Sequence, residues 1–145
     1  MSDEAAGAAR LREALAAIAE CYEQLHSLTG EQVAFRVGAE NRDAGYPFIE
    51  ADGSGYRYLA FERGRECLRQ ETPDLDELLY WVMEGEVLTF VKHREQRTRP
   101  HDYRGDTRRR WFPERISLLR ALRPEWGERA ERETERILAT YPYRD

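Results

Sequence analysis

The chain has 145 residues, a usual length for one folded domain, with 41% hydrophobic and 11% aromatic residues. A disordered chain with the same 35% of charged residues would contain few aromatic side chains, so the composition excludes an unfolded protein. The net charge of −5 argues against a nucleic-acid partner and is compatible with a basic protein partner.

No segment approaches the roughly 18 consecutive apolar residues of a membrane span. The chain begins Met1-Ser2-Asp3-Glu4, which is acidic where a signal peptide is basic. Cys21 and Cys67 lack C-x-x-C spacing, and we predict that both are small buried side chains. These features predict a single cytoplasmic domain over residues 1–145, with no cofactor and no metal.

The first predicted element is an amphipathic helix from about Asp3 to Leu28. Its apolar residues recur at spacings of four, three, four and three, as expected for one helix face. They are Leu11, Leu15, Ile18, Tyr22 and Leu25. Gly30 is well placed to end this helix.

A β region follows, in which Val33, Phe35 and Val37 alternate with other residues and indicate a first strand. Two further strands, Tyr46–Ala51 and Tyr56–Phe61, flank a strong hairpin signal at residues 52–55, Asp-Gly-Ser-Gly. A turn near residues 63–64 leads to a shorter strand, about Glu66–Gln70. The pattern predicts an antiparallel meander of three or four strands, which needs a helical layer on one face.

Three helices complete the predicted order. The first begins after Pro73, where Asp74 and Glu77 have capping-box spacing, and Gly85 could kink it before it ends near Arg99-Pro100. The second runs from about Asp106 to Leu122, and Pro113 favours a start of its first turn later than the apolar pattern indicates. The third begins at Pro124 and ends before Pro142. The fold class is therefore α+β, an N-terminal helix, a meander and three helices packed with the sheet.

The sequence contains no nucleotide-binding motif, because Gly53 and Gly55 belong to a hairpin. It also contains no motif of a nucleophilic catalyst. Glu86 lies in the apolar stripe of the long helix, where a carboxyl group has a raised pKa unless it is paired. Glu86, His93 and His101 are therefore the candidate residues of a small hydrolase-type enzyme. The alternative is that Glu86 forms a structural pair with His93 or an arginine.

Positive charge is concentrated from Lys92 to Arg115, where nine basic residues accompany four acidic ones. The Arg104–Arg115 cluster is a candidate phosphate-binding face of a nucleic-acid-binding regulatory module. The alternative is a set of solvated charges that pair with the acidic remainder of the chain.

Three stretches in order carry a family resemblance. They are Gly45–Tyr58 continuing through Glu62-Arg63-Gly64, the run Asp74-Leu-Asp-Glu-Leu-Leu-Tyr-Trp-Val82, and Arg108-Arg109 through Pro124-Glu-Trp126. Together, over about residues 45–140, they resemble the immunity protein 63 family of bacterial polymorphic toxin systems. The resemblance implies a cytoplasmic protein encoded beside a secreted toxin, which it neutralises by tight binding and occlusion without catalysis.

Aromatic and acidic side chains are the candidate toxin-binding residues, because tyrosine is a favoured interface anchor and acids suit a basic toxin. We predict that one face of the hairpin carries Tyr46, Glu50, Tyr56, Tyr58 and Glu62. The helix-start acids Asp74, Asp76 and Glu77 form a second candidate set. The alternatives are a tyrosine face that packs under a helix and a solvated helix start.

Overall fold

The computed structural model describes residues 2–32 and 36–145. Within these residues the order of elements is one helix, three strands and three helices, which confirms the predicted α+β class. The elements are α1 (Asp3–Thr29), β1 (Phe48–Asp52), β2 (Gly55–Glu62), β3 (Arg65–Thr72), α2 (Leu75–Thr98), α3 (Arg108–Leu122) and α4 (Pro124–Thr140). Val33 and Phe35 of the predicted first strand lie outside the described residues, and Val37 is buried but not in a strand.

The helix α1 follows its predicted apolar face best in its second half. Ile18, Tyr22 and Leu25 are at most 2% exposed, whereas Leu11 and Leu15 of that face are half-buried. Gly30 has a φ of +72°, the left-handed conformation that ends helices, directly after Thr29. Cys21 is buried on this helix as predicted, whereas Cys67 is exposed on β3 and that prediction is wrong.

The sheet is antiparallel with the order β1-β2-β3, so β2 is central and β3 forms one edge. Arg63 and Gly64 both have positive φ angles, of 54° and 75°, which matches the tight type I′ turn of a β-hairpin. The pairing of β2 with β3 contains an irregularity between Ala60 and Phe61, where β3 accommodates one extra residue.

The chain forms two compact units. The first contains α1 as far as His26, the segment from Glu31, the sheet and α2 as far as Met83. The second contains residues 27–30 and everything from Glu84 to Asp145. The single domain predicted over residues 1–145 stays a prediction.

The helix α2 begins as its capping signal predicts, because the Asp74 side chain accepts a hydrogen bond of 3.1 Å from the Asp76 amide. It continues through Gly85 without interruption. Pro113 lies inside α3, which begins five residues earlier at Arg108. In the second unit α3 and α4 approach closely at Gly127, where an added Cβ would come within 2.3 Å of Arg120 Cβ.

Candidate interaction surface

The register of β1 and β2 decides which side chains share a face of the sheet. Ile49 pairs with Tyr58 and Ala51 with Tyr56, so these four residues lie on one face. The helix α1 lies against this face, because the Arg10 guanidinium lies over the Tyr56 ring and a Cβ on Gly7 would lie 2.8 Å from the Ala51 carbonyl oxygen. We call it the helix-covered face.

Tyr56 and Tyr58 are consequently buried, with 4% and 5% of their surfaces exposed. The Arg10 guanidinium lies 5.9 Å from the centre of the Tyr56 ring, and Tyr58 stacks on Trp81 of α2 with ring centres 6.5 Å apart. The structure therefore agrees with the alternative that this face packs under helices.

The prediction that Glu50 shares a face with these tyrosines is wrong. Glu50 pairs with Arg57, and that pair points to the opposite side of the sheet. The two-residue loop pairs each even-numbered residue of β1 with an odd-numbered residue of β2. Even-numbered residues of the two strands therefore lie on opposite faces of the sheet, and a prediction that places them on one face is wrong. Tyr46 precedes β1 and is 48% exposed, and Glu62 is exposed at the end of β2.

The opposite side of the sheet carries the buried pair Phe48 and Leu59 and, beside it, a lattice of ion pairs that is here called the charged face. Its members are Glu50, Asp52, Arg57, Glu66, Arg69 and Glu71. Arg57 donates to Glu50 at 3.1 Å and to Asp52 at 2.6 Å. Arg69 donates to Glu66 at 2.7 Å and to Glu71 at 3.0 Å. Four carboxylates and two guanidinium groups give this surface a net charge of −2.

Hydrogen bonds stabilise the charged forms of Asp52, Arg57 and Arg69. Bonds from the Ser54 side chain, and then from Arg57, hold the pKa of Asp52 far below the ordinary aspartate value. The same contact with Asp52 raises the pKa of Arg57, and a hydrogen bond to Glu66 raises that of Arg69. Asp52, Arg57 and Arg69 are therefore charged at neutral pH.

Comparison with known proteins identifies the family. Residues 52–136 match the family described as Immunity protein 63. The chain belongs to this family. No curated protein and no solved structure matches the chain.

The family match covers β2, β3, α2 and α3 completely and leaves α1 outside. The charged face falls within it except for Glu50. None of the helices in the described part of this immunity-family chain is long and apolar enough to cross a membrane.

The three helix-start acids differ in exposure and in their contacts. Asp74 and Asp76 are exposed, Glu77 is half-buried, and the Asp74 side chain caps α2 as described above. A capping carboxylate with one bonded oxygen keeps acceptor capacity toward solvent. The toxin-binding role of these three residues stays a prediction.

The arginine cluster is paired within the chain. Arg108 binds Asp106 at 2.7 Å, Arg109 binds Asp145 at 2.5 Å, and Arg110 binds Glu95 at 3.0 Å. The cluster was expected to be solvated if it was structural, yet Arg115 is only 6% exposed. These pairs favour a structural role for the cluster over a phosphate-binding face.

The buried acid of α2 is Glu95, which was not among the residues predicted from the sequence. Its side chain is 4% exposed and contacts Arg99 and Arg110, while Glu86 is half-buried. Hydrogen bonds from Arg99, and then from Arg110, lower the pKa of Glu95. The i,i+4 spacing of Glu95 and Arg99 could have indicated this pair.

The proposed hydrolase residues are not gathered by the fold into a buried site. His93 and His101 are both exposed. Across residues 2–32 and 36–145, no group of three or more His, Cys, Asp and Glu side chains is arranged to hold a metal ion.

Proposed function

We propose that this protein neutralises a cognate toxin of a bacterial polymorphic toxin system in the cytoplasm, by binding it and occluding its active surface without catalysis. The observation that carries the proposal is the match of residues 52–136 to the Immunity protein 63 family. The name of that family supports an immunity role, and the binding mechanism is our inference.

The charged face is the surface that we propose to contact the toxin. Its net charge of −2 has the same sign as the net charge of −5 of the whole chain, so the field near the sheet favours a basic partner. Glu50 belongs to this surface. Tyr46 and Glu62 are exposed, and we propose them as additional contacts.

Pairing within the charged face prepares it for binding. Arg57 and Arg69 each bridge two carboxylates, which restrains side chains that would otherwise lose conformational freedom when a partner binds. Tyr56 and Tyr58 belong to the other face, where they pack the sheet against the helices. Their contribution to binding is therefore indirect, through a rigid sheet.

Co-expression with the toxin domain encoded beside this gene tests the proposal. The wild-type protein should restore growth of cells that produce the toxin and should co-purify with it. If the wild-type chain neither protects the cells nor binds the toxin domain, the proposed function is wrong.

A charge-matched pair of variants tests the surface. The double variant Glu50→Lys, Glu71→Lys reverses two charges on the charged face and leaves Asp52 and Glu66 to pair with the arginines. The control Glu128→Lys, Glu135→Lys makes the same change in net charge at exposed positions of α4. We expect loss of protection for the first and full protection for the second, and equal protection would exclude the charged face.

A further inference from the structure

The two edges of the sheet differ. The outer edge of β1 is already used, because the Ile49 amide donates a hydrogen bond of 2.9 Å to the Gly38 carbonyl. The other edge is β3, an eight-residue strand that is exposed except at Leu68 and Thr72, which are half-buried. Within the part of the chain that the structure describes, no backbone hydrogen bond reaches the outer edge of β3.

The pairing register shows which backbone groups of β3 point outward. Since Ile49 donates away from β2, its pair with Tyr58 is the non-hydrogen-bonded kind, and Tyr58 directs its N–H and C=O toward β3. Tyr58 pairs with Gln70, so Gln70 bonds to β2. Its neighbours Arg69 and Glu71 therefore direct their N–H and C=O groups to the open side.

These outward groups flank the charged face. Arg69 and Glu71 also carry side chains of that face, and Glu66 lies on the same side. A strand added to β3 would consequently align its own side chains with this row. Exposed edges with a regular row of free groups are templates for another strand.

We propose that the toxin docks by adding an extended segment to β3, with backbone hydrogen bonds to Arg69 and Glu71 and basic side chains beside Glu66 and Glu71. The inference rests on the proposed function and specifies how the partner binds. β3 lies entirely within the family match, whereas α1 does not.

Charge selects a basic segment over a second copy of this chain. Charged side chains on an edge strand discourage indiscriminate pairing, so a partner strand must be complementary. A second copy would bring another surface of net charge −2 to the shared sheet. A segment with lysine or arginine at alternate positions would instead place positive charge beside Glu66 and Glu71.

Two variants at one position separate backbone pairing from charge. Glu71→Pro removes an outward N–H without removing a hydrogen bond to β2, and proline is tolerated on edge strands at such positions. Glu71→Gln removes the charge and keeps the N–H. With the toxin domain encoded beside the gene as the probe, Glu71→Pro should weaken binding about 10- to 100-fold more than Glu71→Gln, because an acceptor of the toxin loses its donor.

Amide hydrogen exchange in the wild-type complex decides the question if Glu71→Pro fails to fold. In the free protein the Arg69 and Glu71 amides should exchange rapidly, and the Gln70 amide slowly. Binding should protect Arg69 and Glu71. Equal weakening by both variants, or tight binding that leaves these amides unprotected, overturns strand addition while the proposed function stands. Protection of Glu71 in the free protein that grows with concentration would identify a second copy as the occupant and would also overturn the proposal.

Discussion

Arg115 of α3 donates a hydrogen bond of 2.9 Å to Glu84 of α2, with only 8% of the arginine side chain exposed. The same guanidinium lies 3.3 Å from Glu133 of α4, so one charge links three helices of the second unit. Removing Arg115 would leave Glu84 and Glu133 close together without the cation that they share. The loss of these buried ion pairs should therefore cost more stability than the loss of a surface ion pair.

Replacement of Arg115 by methionine should therefore lower the free energy of unfolding by about 2 kcal/mol, a value below the range for fully buried pairs because both glutamates are partly exposed. Arg120→Met is the matched control on the same helix, since Arg120 and Glu131 are 47% and 52% exposed. That control should lower the free energy of unfolding by less than about 1 kcal/mol. Urea denaturation measures the free energy of unfolding of both variants. Equal losses would show that the buried ion pairs of Arg115 stabilise the fold no more than the surface pair of Arg120.

Asp106 links stability to pH at the start of α3. Hydrogen bonds from Arg108, and then from the Arg144 amide, hold the pKa of Asp106 far below the ordinary value. A depressed pKa in the folded state contributes stability above the unfolded value of about 3.9, and this contribution is lost as the pH falls. The Asp106→Asn variant should melt at a lower temperature than wild type at pH 7.

The difference in melting temperature between wild type and Asp106→Asn should shrink progressively below about pH 5. Asp102→Asn, at an exposed aspartate in the preceding turn, serves as the control and should leave the melting temperature nearly unchanged. A constant difference between pH 7 and pH 3 would mean that Asp106 acts through packing and not through its charge.

The order of elements was predictable because local signals determine it. Periodicity along α1, the turn at residues 52–55 and the start of α2 after Asp74 each depend on residues close in sequence. The face on which Glu50 lies was not predicted, because it depends on the pairing register. The partners of Arg115, Glu84 and Glu133, are 31 and 18 residues away in the sequence, so no local spacing predicts them.

Glu95 is the buried acid of α2, whereas Glu86 is the acid that the apolar stripe of the helix predicted to be buried. Glu95→Gln should destabilise the protein by about 2 kcal/mol, because Arg99 and Arg110 would lose the carboxylate that they share in a buried position. Glu86→Gln should cost less, since Glu86 is half-buried. Chemical denaturation of the two variants tests the order, and a larger loss for Glu86→Gln would contradict it.

Gly7 provides a test in which two physical effects have opposite signs. Helix propensity alone predicts that Gly7→Ala stabilises α1 by up to about 1 kcal/mol. The added Cβ would, however, lie 2.8 Å from the Ala51 carbonyl oxygen and 3.0 Å from the Asp52 Cα, both of which are backbone atoms of β1. The helix would have to move away from the sheet, so we expect a lower melting temperature for Gly7→Ala. Ala8→Gly, at an exposed position of the same helix, controls for helix propensity and should be mildly destabilising. A Gly7→Ala protein that melts at a higher temperature than wild type would show that the space between α1 and β1 accommodates the added methyl group.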